Sequence, residues 1–275
     1  MIAIPNMTSN GVIADDQRSE SSRQSQRKRR SIRVIALGSV AMAALLWGAA
    51  FPLTALPDPI GNNAKYFVDG MRVTVMLTLV SGLMGLLLGV FTALGKVSPI
   101  SFIRLVANSY IAVIRGTPLL VQILFVYFAL PMLVPAFQLK DFSSACIALS
   151  LNAGAFNAEA IRAGLLAVPT GQLEAARSLG LGKSWVFIDV VFPQAFKVAL
   201  PSLVNNTVSL LKDSSLAYAI GVVELTNIGN RVQAATFQPV PVLLTTAALY
   251  FTLTSIVSWI ANAVEGQYDI EGKRK

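Results

Sequence analysis

Val168-Pro169-Thr170-Gly171-Gln172-Leu173-Glu174-Ala175-Ala176-Arg177-Ser178-Leu179-Gly180-Leu181-Gly182-Lys183-Ser184 is the longest polar, helix-compatible insert in a chain that is apolar on either side of it. The spacing predicts a short helix. Thr170 serves as N-cap, Glu174 in the first turn faces the positive end of the helix dipole, and Gly180 stops the helix in a left-handed C-cap. A helix of about two and a half turns cannot stand alone in water. Its apolar surface is limited to Leu173, Ala175, Ala176 and Leu179, and the paired alanines leave room for another backbone to approach. Two readings stand at this point: a helix that docks into a groove on a partner protein, or a polar loop with one helical turn too many.

Working outward, the composition sets the solvent. The 275 residues are 54% hydrophobic and 13% charged, with a mean hydropathy of +0.63, too apolar for a soluble globule. Several windows longer than about 18 residues carry no charge, the mark of membrane-spanning helices. The net charge of +8 does not indicate nucleic acid, because the basic residues flank apolar runs and form no basic face interleaved with aromatics. Cys146 is the only cysteine and there is no histidine, which excludes disulfides, thiolate metal clusters, His-ligated metals and His-based nucleophilic triads.

From the N-terminus, residues 1–31 form a polar, basic tail ending in Arg27-Lys28-Arg29-Arg30, directly before an apolar run at 34–53. The composition predicts disorder for the tail, and the basic cluster fixes its side as cytoplasmic. The run reads as an extra transmembrane helix at 32–56. A cleaved signal peptide is the alternative, since Trp47-Gly48-Ala49-Ala50 resembles a cleavage region, but the run exceeds the roughly 7–15 residues of a signal core. A polar link at 57–69 is followed by expected spans at 73–95, 117–137, 142–167, 185–211 and 241–264, the fifth carrying Pro193 and Pro201. The half-polar stretch 212–238 is too long for a structureless loop and reads as short or re-entrant helices packed in the bundle. A charged tail at 266–275 closes the chain. With both termini inside, 17 of the 22 Lys and Arg fall on the cytoplasmic side, so the insert with Glu174 is cytoplasmic too.

Gly182-Lys183-Ser184 is the tail of a phosphate-binding loop, but Arg177 holds the first glycine position and no strand precedes it. Any ATP that drives this chain is therefore hydrolysed by another subunit. The chain resembles the membrane-spanning permease of bacterial ABC importers, in the polar amino acid branch. The family signature E-A-A, three residues, G, nine residues, I-x-L-P falls on Glu174-Ala175-Ala176, Gly180, Val190, Phe192 and Pro193, with Val for Ile and Phe for Leu. The branch adds Arg115-Gly116-Thr117-Pro118-Leu119-Leu120 and Gly154-Ala155-Phe156-Asn157-Ala158-Glu159. It continues with Pro169-Thr170-Gly171-Gln172, Pro193-Gln194-Ala195 and Leu211-Lys212-Asp213-Ser214-Ser215-Leu216. The resemblance covers about residues 65–265.

The resemblance implies an all-α membrane protein, a bundle like the type I ABC importer permeases, with a five-helix core (65–265) plus one N-terminal transmembrane helix. It implies a non-enzymatic translocation subunit in a bacterial cytoplasmic (inner) membrane, with no cofactor on this chain and ATP and magnesium on the partner ATPase. Expected partners are the ABC ATPase subunits, a periplasmic or extracellular solute-binding protein, a second copy or a related permease, and the lipid bilayer. The segment 170–180 becomes the coupling helix, with Gly171, Glu174, Ala175, Ala176 and Gly180 at the ATPase contact; Ala176 is expected to touch the partner. Substrate-path candidates are the polar residues inside spans, because unpartnered polar groups in lipid cost several kcal/mol. Glu159 either lines the path or pairs with Arg162 at i+3. Asn152, Asn157, Asn205 and Asn206 either bind a zwitterion or join helices. Lys212 and Asp213 read as a gate or scaffold ion pair, and Arg115 as an interfacial arginine to which the resemblance adds a pathway role. A proton-coupled secondary amino acid carrier is the alternative function.

Overall fold

Apolar runs punctuated by Pro, Gly and brief polar breaks leave each backbone amide to be satisfied within its own segment, and in lipid that means helix. The computed structural model describes residues 31–135 and 138–267, and among these no strand occurs. The order is α1 (Ser31–Gly48), α2 (Ala50–Thr54), α3 (Ile60–Lys96), α4 (Ser101–Gly116), α5 (Leu119–Leu124), a π-helical turn (Phe125–Ala129) and α6 (Leu130–Leu133). Then come α7 (Asp141–Leu166), α8 (Thr170–Ser178), α9 (Lys183–Trp185), a π-helical turn (Val186–Val191) and α10 (Phe192–Asp213). A 3-10 helix (Ser214–Ile220), α11 (Leu225–Thr236) and α12 (Pro239–Gln267) complete it. The basic cluster Arg27–Arg30 and the tail beyond 267 lie outside the described residues.

Among the described residues, four helices are long and apolar enough to cross a membrane: Ser31–Gly48, Ile60–Lys96, Lys183–Ile220 and Pro239–Gly266. Ser101–Gly116 and Leu119–Leu133, bent by 109° to one another, are together long and apolar enough for a fifth if the pair is one broken span. α7, expected as a span, is long enough but not apolar enough to be among them. The reason is its position. It packs between α3 and α10, so Asn152, Asn157, Glu159 and Arg162 meet protein in place of lipid. Close approach makes this possible: on the Gly85-x-x-x-Gly89 face of α3, a Cβ at Gly85 would stand 2.7 Å from Ala153 Cβ, and one at Gly89 2.7 Å from Asn157 Cβ. Small residues let helices in lipid gain dispersion contacts backbone to backbone.

The expected link at 57–69 is helical from Ile60 onward. Its polar residues occupy one side, while Ile60, Ala64, Phe67, Val68 and Met71 are buried on the other in a cluster with Leu225, Val242 and Leu253. A helical apolar period runs through the polar letters there, and it extends the helix by more than three turns. The half-polar stretch 212–238 does form short helices. Gly221, at φ +90°, turns the chain between the 3-10 helix and α11. At the N-terminal helix, Leu46, Ala49 and Leu53 are buried in the same cluster as α3 and α12, and the Leu46 carbonyl accepts from Arg72 Nε at 2.9 Å.

Candidate functional site

α8 begins one residue earlier than its sequence suggests. Pro169, extended at φ −63° and ψ 134°, occupies the N-cap position, and Thr170 is the first helical residue with no side-chain cap bond. Glu174 consequently falls in the second turn. The C-terminus follows expectation: Gly180 adopts φ +80°, its amide donates to Arg177 O at 2.9 Å, and the Leu181 amide donates to Ala176 O at 3.2 Å. That double bond pattern is a Schellman stop, which requires a residue tolerant of positive φ.

The faces of α8 are not distributed as expected. Ala176 is 6% exposed and packed into its own chain, whereas Gly171, Glu174 and Ala175 are exposed. The helix lies against the π-helical turn Val186–Val191, and Gln194 Nε2 donates to Gln172 Oε1 at 2.5 Å. The free surface belongs to Glu174, Ala175 and Leu179, the last 82% exposed.

Along the bundle, α7 and α10 line two adjoining half-open cavities, the second completed by α3. One, of about 300 Å³, is lined by Asn152, Phe156, Asn206, Ser209, Lys212 and Asp213 among others. The second, of about 450 Å³, is largely apolar, with Thr78, Leu83, Asn157, Leu203 and Thr207 on its wall. Asn206 lines both, and its Nδ2 donates to Asn157 Oδ1 at 3.0 Å. The smaller cavity offers what a zwitterion requires: an ammonium, a carboxylate and amide groups at an apolar wall. Of the residues singled out in the sequence, Asn152, Asn206, Lys212 and Asp213 line this smaller cavity, and Asn157 lines the second. Asn205 is exposed and lines neither cavity. The Arg115 guanidinium stands 5.0 Å from the centroid of the Phe156 ring, at the cavity wall, a cation–π contact.

Glu159 lines neither cavity either. Its Oε2 accepts from Arg162 Nε at 3.0 Å and Nη2 at 2.8 Å, and its Oε1 accepts from Lys96 Nζ. The bond to Lys96 joins the end of α3 to α7. Lys96 was not singled out by sequence, and 63 residues of separation give no local signal for the pairing.

A second carboxylate escaped the sequence reading entirely. Glu224, between the spans Lys183–Ile220 and Pro239–Gly266, is fully buried. It caps α11, accepting from the amides of Thr226 and Asn227, both at 2.8 Å, and from the Tyr250 hydroxyl at 2.7 Å. Burial pushes its carboxyl above the usual range, with those hydrogen bonds opposing. The signal that could have found it is Glu224-Leu225-Thr226 after Gly221, an acidic residue opening a helix.

Residues 85–268 match the family described as binding-protein-dependent transport system inner membrane component. The arginine transport system permease protein ArtQ of Bacillus subtilis is 37% identical over 200 residues, which cover 73% of this chain and 91% of ArtQ. The L-cystine permease TcyB of the same organism is 38% identical over 221 residues, covering 78% and 93%. The glutamine permease GlnP of Escherichia coli is 31% identical over 224 residues, covering 82% and 98%. Among solved structures, an amino acid ABC transporter with histidines superposes at a TM-score of 0.69 and 40% identity, over 74% of this chain and 94% of that one. The inward-facing methionine transporter MetNI superposes at 0.64 over 78% and 100%, and at 20% identity it bears on the fold alone.

Proposed function

Because the chain belongs to the binding-protein-dependent transport system inner membrane components, as a permease subunit of an amino acid ABC importer, we propose that it carries polar amino acids into the cell by alternating access. The drive is ATP hydrolysis, with magnesium, on a separate ATPase that grips α8. The observation that carries this reading is a continuous mechanical path. The exposed Glu174–Ala175 face sits on a helix bonded through Gln172 to Gln194 of α10, and α10 forms walls of both cavities. A rotation of a partner seated on that face would displace the cavity wall, because packed helices move as rigid bodies. The equilibrium between the two openings then follows the nucleotide state of the partner.

In this reading the membrane is the bacterial cytoplasmic membrane, with α8 and both termini inside. A solute-binding protein delivers the amino acid to the opposite end, and a second permease, a copy or a relative, completes the path. The arginine, cystine and glutamine permeases among the relatives support a polar α-amino acid as the cargo. A proton-coupled carrier would need a carboxylate free to exchange its proton along the path. Glu159, the candidate, has both oxygens engaged by cations.

The test separates the two faces of α8. Ala175→Arg changes an exposed position and should leave the thermal stability of the purified permease within about 0.5 kcal/mol, while abolishing co-purification of the ATPase and ATP-driven uptake. Ala176→Asp should instead destabilise the permease itself by several kcal/mol, as a carboxylate buried without a partner. ATPase association and uptake that survive Ala175→Arg intact would sink the assignment of α8 as the coupling element.

A further inference from the structure

Side chains bridge the break between Ser101–Gly116 and Leu119–Leu133: Thr117 Oγ1 donates to the Val113 carbonyl at 2.8 Å, and Gln122 reaches back across it. Pro118 has no amide hydrogen, so the Ile114 carbonyl four residues before it loses the donor that a continuous helix would supply. Gln122 Nε2 lies 2.7 Å from that carbonyl oxygen, and 3.1 and 3.0 Å from Thr117 O and Thr117 Oγ1. Since both carbonyls can only accept, the amide nitrogen must face them and Gln122 Oε1 is left pointing away. It accepts from Asn152 Nδ2 at 3.4 Å. Asn152 lines the smaller cavity, as does Phe156 one turn further along α7. Phe156 in turn lies under Arg115, in the last turn of α4. The cavity wall therefore touches both arms of the bend, the first through Arg115 and the second through Gln122.

We propose that Gln122 is a positioning residue for transport: it fills the acceptor that Pro118 leaves, sets the angle between the two arms, and orients Asn152 on the cavity wall. Removal of its amide loosens the break, and removal of its oxygen frees Asn152 to turn. This rests on the reading of the cavity as the translocation site. A cavity occupant that engages Asn152 is thereby one hydrogen bond from the Gln122 side chain at the bend.

Two near-isosteric variants split these roles. In Gln122→Leu both are lost. In Gln122→Glu the acceptor for Asn152 remains while the donors to Ile114 and Thr117 are gone. The probes are radiolabelled L-arginine, L-glutamine and L-cystine. The measurements are equilibrium binding to the purified permease–ATPase complex, uptake by the full complex with its solute-binding protein in liposomes, and thermal stability of each variant. For whichever amino acid the native complex carries, Gln122→Leu should weaken binding about threefold to tenfold, the reach of one oriented hydrogen bond. Gln122→Glu should bind within twofold of native and still transport more slowly. A merely structural glutamine would lower thermal stability in both variants and leave the dissociation constant at its native value; that result overturns the proposal. If the native complex neither binds nor imports any of the three, the importer reading itself fails, and this inference with it. If the native complex transports and both variants match it, only the role of Gln122 fails.

Discussion

Glu159 and Glu224 are both carboxylates that accept several hydrogen bonds, yet they are held in opposite ways. Glu224 is fully buried and is met by neutral groups: two backbone amides at the start of α11 and the Tyr250 hydroxyl of α12, with Thr74 Oγ1 of α3 at 3.5 Å. Glu159 is half-buried and met by two cations, Lys96 from α3 and Arg162 from its own helix. The first arrangement fixes three helices with directional bonds that water cannot replace. The second keeps solvent at hand to compensate each charge. A joint of the first kind is costly to part, whereas one of the second kind can open and re-form at modest expense. Glu159 meets α3 at its last residue, Lys96, and stands in the last turns of α7 before α8, whereas Glu224 meets α3 at Thr74.

Glu224→Ala puts this contrast to its hardest test. It would strand two amides in a buried site at about 1–3 kcal/mol each and leave the Tyr250 hydroxyl only Thr226 Oγ1, and the chain should fail to accumulate in the membrane. Glu224→Gln keeps the shape and one acceptor, and should lower thermal stability by about 1–2 kcal/mol. Glu159→Gln leaves Lys96 and Arg162 close together without a counter-charge, but both reach solvent, so the loss should be about 1 kcal/mol. Thermal melts of the three purified variants in one detergent give the order. If Glu159→Gln proved costlier than Glu224→Gln, the contrast would be reversed.

Much of this was legible in the sequence, and the residues show where legibility stops. The Gly180 cap, the short helices of 212–238 and the pairing of Glu159 with Arg162 are local, governed by spacings of three or four residues. The inward face of Ala176 was not legible: Ala175 and Ala176 are chemically the same, and only the turn at Val186–Val191 distinguishes them. Asn157 and Asn206 were visible as polar residues inside apolar runs, but their bond spans 49 residues. The amide–carbonyl arrangement of Gln122 depends on Pro118, a local feature, and on Asn152, a distant one; half of it was readable. The extension of α3 to Ile60 was obscured because polar residues on one face hid the apolar period beneath them.

Tyr250→Phe removes the hydroxyl bonded to Glu224 Oε2 and to Thr226 Oγ1, a loss of about 1 kcal/mol. The smallest effect expected is also the one that isolates the charge of Glu224. Burial raises its carboxyl above the ordinary range, so in the window between the unfolded and folded values the native state binds more protons than the unfolded chain. By linkage, stability then falls as pH rises through that window, and is fully present below it. Glu224→Gln has no proton to release and should lack this slope. The difference between native and variant melting temperatures, followed upward from the usual carboxylate range, should therefore narrow. A gap that widened with pH would mean that the amides of α11 stabilise the charge more than burial opposes it. The neutral joint would then be an anionic one, closer to Glu159 than its surroundings suggest.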